Sequence, residues 1–101
     1  GEQTMVQLPT TEFDSTEGWG VYLLECADGS LYTGITNNFP RRLAQHQAGK
    51  ASRYTRARLP VCPIYWEPAE DRPSASRREL AIKALPRQKK LALVQLLPNP
   101  V

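Results

Sequence analysis

Asp28-Gly29 sits between two runs of sheet-forming residues, and no other feature constrains the fold of this chain as tightly. Ahead of it lies Trp19 to Cys26, where Val21, Tyr22, Leu23 and Leu24 all suit a pleated, extended backbone. Behind it lies Leu31 to Thr36. An Asp-Gly pair between such runs predicts an antiparallel hairpin. Loop length then decides which side chains meet, because strand residues alternate faces. A two-residue loop would pair Ala27 with Ser30 and send Tyr22 and Tyr32 to opposite faces. A three-residue loop, or a bulge with Gly29 left-handed, puts both tyrosines on one face. A site shared by the two requires the second arrangement, and that is the expectation.

The elements that follow are marked by their punctuation. Asn37-Asn38 offers a helix cap and Pro40 fits a first turn, so a helix runs to about Gln47 and stops at Gly49. Residues 50–58 form a loop or a short helix. Val61 to Glu67 reads as a third strand between Pro60 and Pro68, with Pro63 directing it to a sheet edge or a later start. Pro73-Ser74 opens a helix through Leu85, and Pro86 begins a last one through Leu97, with Leu91, Leu93, Val94, Leu96 and Leu97 as its apolar face. The order β-β-α-(α)-β-α-α defines an α+β class, a small three-stranded antiparallel sheet flanked by helices. One domain is expected over 18–97, after a flexible polar segment 1–17 in which Met5 reads as a native start and Gly1 to Thr4 as an expression scar.

Charge is distributed one-sidedly. Residues 1–36 hold six acids and no Lys or Arg, whereas residues 37–101 hold thirteen Lys and Arg against four acids. The run Arg41 to Arg58 carries six cations and no acid. Such a field attracts polyanions. Arg87, Lys89 and Lys90 fall at a helix start, where they oppose the helix dipole and so need another reason to be there. No apolar run approaches the ~20 residues of a membrane helix, and no leader is visible, so the expected location is cytoplasmic. Cys26 and Cys62 lie in apolar stretches and are expected as reduced, buried thiols rather than a disulfide. No CxxC or Cys/His cluster supports a zinc site.

Five polar residues carry the chemistry. Tyr22 and Tyr32 are ordinary strand residues taken singly. Gly34 weakens a strand and marks a close approach, leaving room for a phosphate or a helix. Arg42 and His46 are four apart and share a helix face. The arginine fork donates to two phosphate oxygens at once and keeps its charge. His46 is the sole histidine, which excludes hydrolytic schemes needing two. Glu79 has a rival role, since Ser76-x-x-Glu79 matches a capping box. A helix opened at Pro73 would instead put Glu79 in the second turn, amid Arg77, Arg78 and Lys83. There it could serve Mg²⁺, which takes one or two carboxylates and fills its shell with water and substrate oxygens.

Together these residues resemble the GIY-YIG nuclease superfamily, whose module is also called the URI domain. The resemblance rests on Gly20-Val21-Tyr22, Leu31-Tyr32-Thr33-Gly34-Ile35-Thr36, Arg41-Arg42-Leu43-x-x-His46, Gly49-Lys50 with Tyr54-Thr55-Arg56, and Glu79 followed by Lys89-Lys90-Leu91. It spans Trp19 to Val94. It is closest to the small single-domain bacterial YhbQ-like subgroup, related to the nuclease domains of Slx-type structure-specific enzymes. Val21 and Thr33 replace the isoleucines of the motif, and both are β-branched, which keeps strand fit. The asparagine that some homing members carry near the end of the module has no clear counterpart.

The resemblance implies a GIY-YIG endonuclease-like fold and a metal-dependent DNA endonuclease. Cleavage would select structure, branched or single-stranded DNA, over sequence, in repair or recombination. It implies catalytic roles for Tyr22, Tyr32, Arg42, His46 and Glu79, with Glu79 holding Mg²⁺ or Mn²⁺. Tyr22 would accept a proton from the attacking water, with His46 or Tyr32 relaying or positioning. Arg42 and the metal would lower the pKa of Tyr22. Gly20 and Gly34 would be structural. Arg41, Lys50, Arg53, Arg56, Lys89 and Lys90 would follow the nucleic acid, and Tyr54 would stack on a base. No appended DNA-binding domain is expected, so targeting would rest on the basic surface or on a protein partner. Two alternatives stand beside this reading. One is a non-catalytic nucleic-acid-binding module on the same scaffold. The other is an adaptor docking through Trp19, Trp66 and the last helix.

Overall fold

The computed structural model describes residues 17–95. Nearly all of the polar segment expected at 1–17 lies outside the described residues, as do Leu96 and Leu97. The described chain runs β1 (Glu17–Glu25), β2 (Leu31–Asn38), α1 (Phe39–Gln47), α2 (Arg53–Arg56), β3 (Cys62–Pro68), α3 (Arg72–Lys83) and α4 (Arg87–Gln95). The three strands form one antiparallel sheet in the order β2-β1-β3. This is the α+β architecture expected, with the optional helix present as α2.

The hairpin adopts the arrangement that a shared site requires. Glu25 faces Leu31, the Cys26 amide donates to the Ser30 carbonyl at 2.9 Å, and Gly29 takes a φ of 84°. Only glycine enters that left-handed region without cost. Tyr22 therefore faces Gly34, and Leu24 faces Tyr32, so both tyrosines project from one face. Their ring centroids lie 6.3 Å apart.

β1 is the central strand, and its apolar run is explained by burial on both sides. Val21 and Leu23 join Tyr65, Ala75 and Ile82 in a core under α3 and α4, which Leu93 and Val94 help to close. Tyr22, Leu24 and Cys26 join Phe39 and Val61 on the opposite face, under α1. Pro63 and Pro68 are tolerated because β3 is an edge strand. The pairing skips Ile64, with Leu23 facing Tyr65 and Leu24 facing Pro63. α3 is tied to the sheet by Arg78, which donates to both Glu67 oxygens at 2.7 and 3.2 Å.

Two expectations change, those for Cys62 and for the space beside Gly34, and the choice of role for Glu79 is settled. Cys62 is a free but exposed thiol, because it pairs with outward-facing Glu25 at the start of the edge strand. α3 starts at Arg72, with the Asp71 carboxylate accepting from the Ser74 amide at 2.9 Å, so Ser76 is no cap and Glu79 closes no capping box. The side of Gly34 is filled by the Tyr22 ring rather than kept for a phosphate or a helix: an added Cβ would lie 2.5 Å from the Tyr22 hydroxyl. Gly20 likewise makes room for the Trp66 ring.

Gly34→Ala should therefore lower stability by roughly 1–3 kcal/mol through overpacking. Urea unfolding measures it. In a Tyr22→Leu background, which removes the outer ring atoms, the penalty should vanish.

Candidate active site

The site is built on one buried hydroxyl. Tyr22 leaves the central strand with only 1% of its surface exposed and packs against Phe39 with ring centroids 5.1 Å apart. Phe39 opens α1, whose first turn is fixed by the Asn38 side chain accepting from the Arg41 amide at 3.2 Å. Two turns further on, the same helix delivers His46. Its Nε2 lies 2.8 Å from the Tyr22 hydroxyl oxygen, and its Nδ1 lies 2.8 Å from Thr55 Oγ1. The Tyr32 ring meets the imidazole edge-on, 5.0 Å between centroids. Of the two relays open to Tyr22, the hydrogen bond runs to His46.

Arg42 lies one turn before His46, and its Nη1 donates to Gln45 Oε1 at 3.1 Å, which orients the guanidinium. It borders a cavity of about 250 Å³ lined by Thr36, Asn37, Asn38, Arg41, Arg42 and Gln45. Glu79 comes from α3 and pairs with Lys83 at 3.3 Å. Arg42 and Glu79 both act on the Tyr22 hydroxyl, the first favouring its deprotonation and the second opposing it. The net effect corrects the sequence-based expectation. Burial dominates, the Tyr32 hydroxyl adds to it, and the Tyr22 pKa rises well above the ordinary phenol value. Burial and then Arg42 press His46 the other way, down to about 4. At neutral pH both groups are uncharged.

The cations separate into tied and untied. Arg58 is tied: it donates to Asp28 at 3.1 Å and to the Tyr54 carbonyl at 3.0 Å. It also lies 3.8 Å over the Tyr54 ring. Tyr54 thus has one face occupied by a guanidinium and packs on Tyr32 at 5.9 Å, which limits it as a platform for a base. Lys50, Arg53 and Arg56 surround a second cavity of about 310 Å³ and form no salt bridge among the described residues. Lys89 and Lys90 lie on α4. Ser52 was not singled out from sequence, and Thr55 stood there only inside the Tyr54-Thr55-Arg56 stretch, with no role of its own. The signal available was a hydroxyl pair at capping spacing inside an otherwise basic segment.

Among the described residues no three His, Cys, Asp or Glu side chains cluster as a metal cage. The one carboxylate among them whose charge reaches the Tyr22 hydroxyl is Glu79. That suits a hard, hydrated divalent ion that takes its remaining oxygens from water and phosphate, and does not suit zinc. No helix among the described residues is long and apolar enough to cross a membrane.

A tyrosine from the hairpin and an imidazole from α1 share one buried hydrogen bond, and the tyrosine hydroxyl feels the charges of Arg42 on α1 and Glu79 on α3. The GIY-YIG catalytic domain profile matches residues 18–92, and the chain belongs to that family. GIY-YIG domains are DNA-cleaving and generally depend on a divalent metal. The chain is 47% identical over 91 residues to the UPF0213 protein of Desulfotalea psychrophila, covering 89% of this chain and 80% of the relative. It is 49% identical over 88 residues to that of Xanthomonas axonopodis pv. citri, covering 87% and 86%. The solution NMR structure of the UPF0213 protein from Bacillus halodurans is similar with a TM-score of 0.53 at 41% identity, covering 81% of this chain and 87% of that one.

A buried neutral histidine makes stability depend on pH. The unfolded chain binds a proton on His46 near pH 6.5, while the folded chain refuses it until about pH 4. Stability should therefore fall as pH drops through that window. The loss between pH 7 and pH 5 should be roughly 2 kcal/mol, read by urea unfolding. Because His46 is the sole histidine, His46→Gln should remove this slope.

Proposed function

We propose that the chain is a divalent-metal-dependent DNA endonuclease that selects branched or single-stranded structure rather than sequence. The observation that carries the reading is the Tyr22 hydroxyl, hydrogen-bonded to His46 at 2.8 Å and under the charges of both Arg42 and Glu79. Glu79 would hold Mg²⁺ or Mn²⁺, which when bound supplies positive charge at the scissile phosphate. Arg42, oriented by Gln45, binds a phosphate oxygen and stabilises the charge that develops there. Tyr22 receives a hydrogen bond from the attacking water and passes its own proton towards His46 Nε2. Tyr32 packs the imidazole in place.

Burial explains why Tyr22 needs its partner. Its raised pKa means that almost no phenolate exists at neutral pH, so it cannot act as a preformed base. It can act only if its proton leaves as the proton of water arrives. Arg41, Lys50, Arg53 and Arg56 contact the strand, and Lys89 and Lys90 extend the basic surface. Cations of this kind read the phosphate backbone and not the base sequence. Choice of target would then come from DNA shape or a protein partner, in a cytoplasmic repair or recombination role.

A panel of flap, forked, single-stranded and duplex DNA, with and without Mg²⁺, tests the reading. Cleavage should require metal and favour the branched or single-stranded members. Glu79→Ala and Arg42→Ala should each lower kcat roughly 100-fold or more. Wild-type cleavage rates in both variants would overturn the assignment, and salt-sensitive binding without turnover would favour the non-catalytic module.

A further inference from the structure

The imidazole of His46 is held at both ends, and only one end belongs to the machinery described so far. The other end rests on Thr55, which is fully buried within a segment that is otherwise basic and exposed. Thr55 sits in the four-residue helix α2, which Ser52 caps. The Ser52 hydroxyl accepts from the Thr55 amide at 3.1 Å, and Thr55 Oγ1 reaches the Ser52 carbonyl at 3.4 Å.

We propose that Thr55 is a positioning residue whose hydroxyl holds the His46 proton on Nδ1, so that the Tyr22 hydroxyl must donate to Nε2 and present a lone pair to the attacking water. A hydrogen-bond census carries the assignment. A neutral imidazole has one donor and one acceptor. With the proton on Nδ1, that N–H donates to Thr55 Oγ1, and Thr55 passes its own hydrogen to Ser52, at the carbonyl or at Oγ 3.1 Å away. Nε2 is then the acceptor for Tyr22. The Tyr22, His46 and Thr55 hydrogens then each have an acceptor.

The opposite tautomer fails the census. With the proton on Nε2, the ring would donate to Tyr22, and the Tyr22 hydrogen would need another acceptor. Among the described residues the Tyr22 hydroxyl has no hydrogen bond besides that to His46. A buried, unsatisfied hydroxyl is costly. Water would also meet a Tyr22 oxygen already occupied by a donor.

The step balances. The water O–H breaks as its proton bonds to the Tyr22 oxygen, the Tyr22 O–H breaks as its proton bonds to Nε2, and the electron pair left on the water oxygen forms the bond to phosphorus, while the bond from phosphorus to the departing sugar oxygen breaks with its electron pair and that oxygen takes a proton from solvent. His46 ends as imidazolium, with its Nδ1–H still on Thr55. α2 delivers that hydroxyl from a single turn capped by Ser52.

The catalytic half of this inference rests on the nuclease reading; the tautomer does not. The full chain labelled with ¹⁵N-histidine gives only the two ring nitrogens of His46, since there is one histidine. At pH 7 Nδ1 should be the protonated nitrogen. Thr55→Val should move the ring towards the other tautomer or into exchange. It should also lower kcat by the loss expected of an outer partner of a working histidine, on the order of 10- to 100-fold, with KM unchanged. Thr55→Ser, which keeps the hydroxyl, should restore both. A wild-type ring protonated on Nε2, or a tautomer indifferent to Thr55→Val, would overturn the proposal. Should the wild type cut no substrate, the nuclease reading fails, and the nitrogen shifts still decide the role of Thr55.

Discussion

Every contact in the site depends on the register of the first hairpin. Gly29 in the left-handed region closes a loop of odd length, and that parity keeps Tyr22 and Tyr32 on one face. A slip of one residue would invert every side chain of β2 relative to β1. Several groups guard against it. Asp28 accepts from the Ser30 amide at 3.0 Å and from the Ser30 hydroxyl at 2.6 Å, and Arg58 holds the same carboxylate from the far end of α2. Arg87 reaches the Gly29 carbonyl from the start of α4. Cations that sequence alone would assign to nucleic acid are thus partly engaged in fixing the turn.

Register also decides what Arg42 does. Its charge favours the deprotonated form of Tyr22 and of His46 alike. Without substrate, this pushes protons away from both ends of their hydrogen bond. A phosphate bound to Arg42 would offset that charge, and His46 would then become the better acceptor. On the proposed function, substrate binding and proton transfer would be coupled through this one side chain.

The sequence made the hairpin, the caps at Asn38, the proline-tolerant edge strand and the grouping of Tyr22, Arg42 and His46 legible, because each depends on local chemistry or fixed spacing. What it hid depends on which element folds against which. Gly34 signals a close approach but cannot say that the Tyr22 ring is the visitor, since only the pairing reveals it. Thr55 lies in a basic, polar stretch, and its burial arises only when α2 folds back on His46. Asp71 competed with the stronger proline signal two residues on. The direction of the Tyr22 pKa was misjudged because burial, which outweighs Arg42, has no signature in a strand of ordinary apolar residues.

β1 is the partition on which these effects meet. Its even positions, Gly20, Tyr22 and Leu24, face the helix that carries His46, while Val21 and Leu23 face α3 and α4. The reactive side tolerates a buried imidazole and threonine, groups that a purely cohesive interior would exclude. Cohesion is left to the aliphatic side. Substitutions at odd and even positions of this strand are consequently under separate constraints: one side can be repacked for robustness, while the other is held by the buried hydrogen bonds of Tyr22, His46 and Thr55.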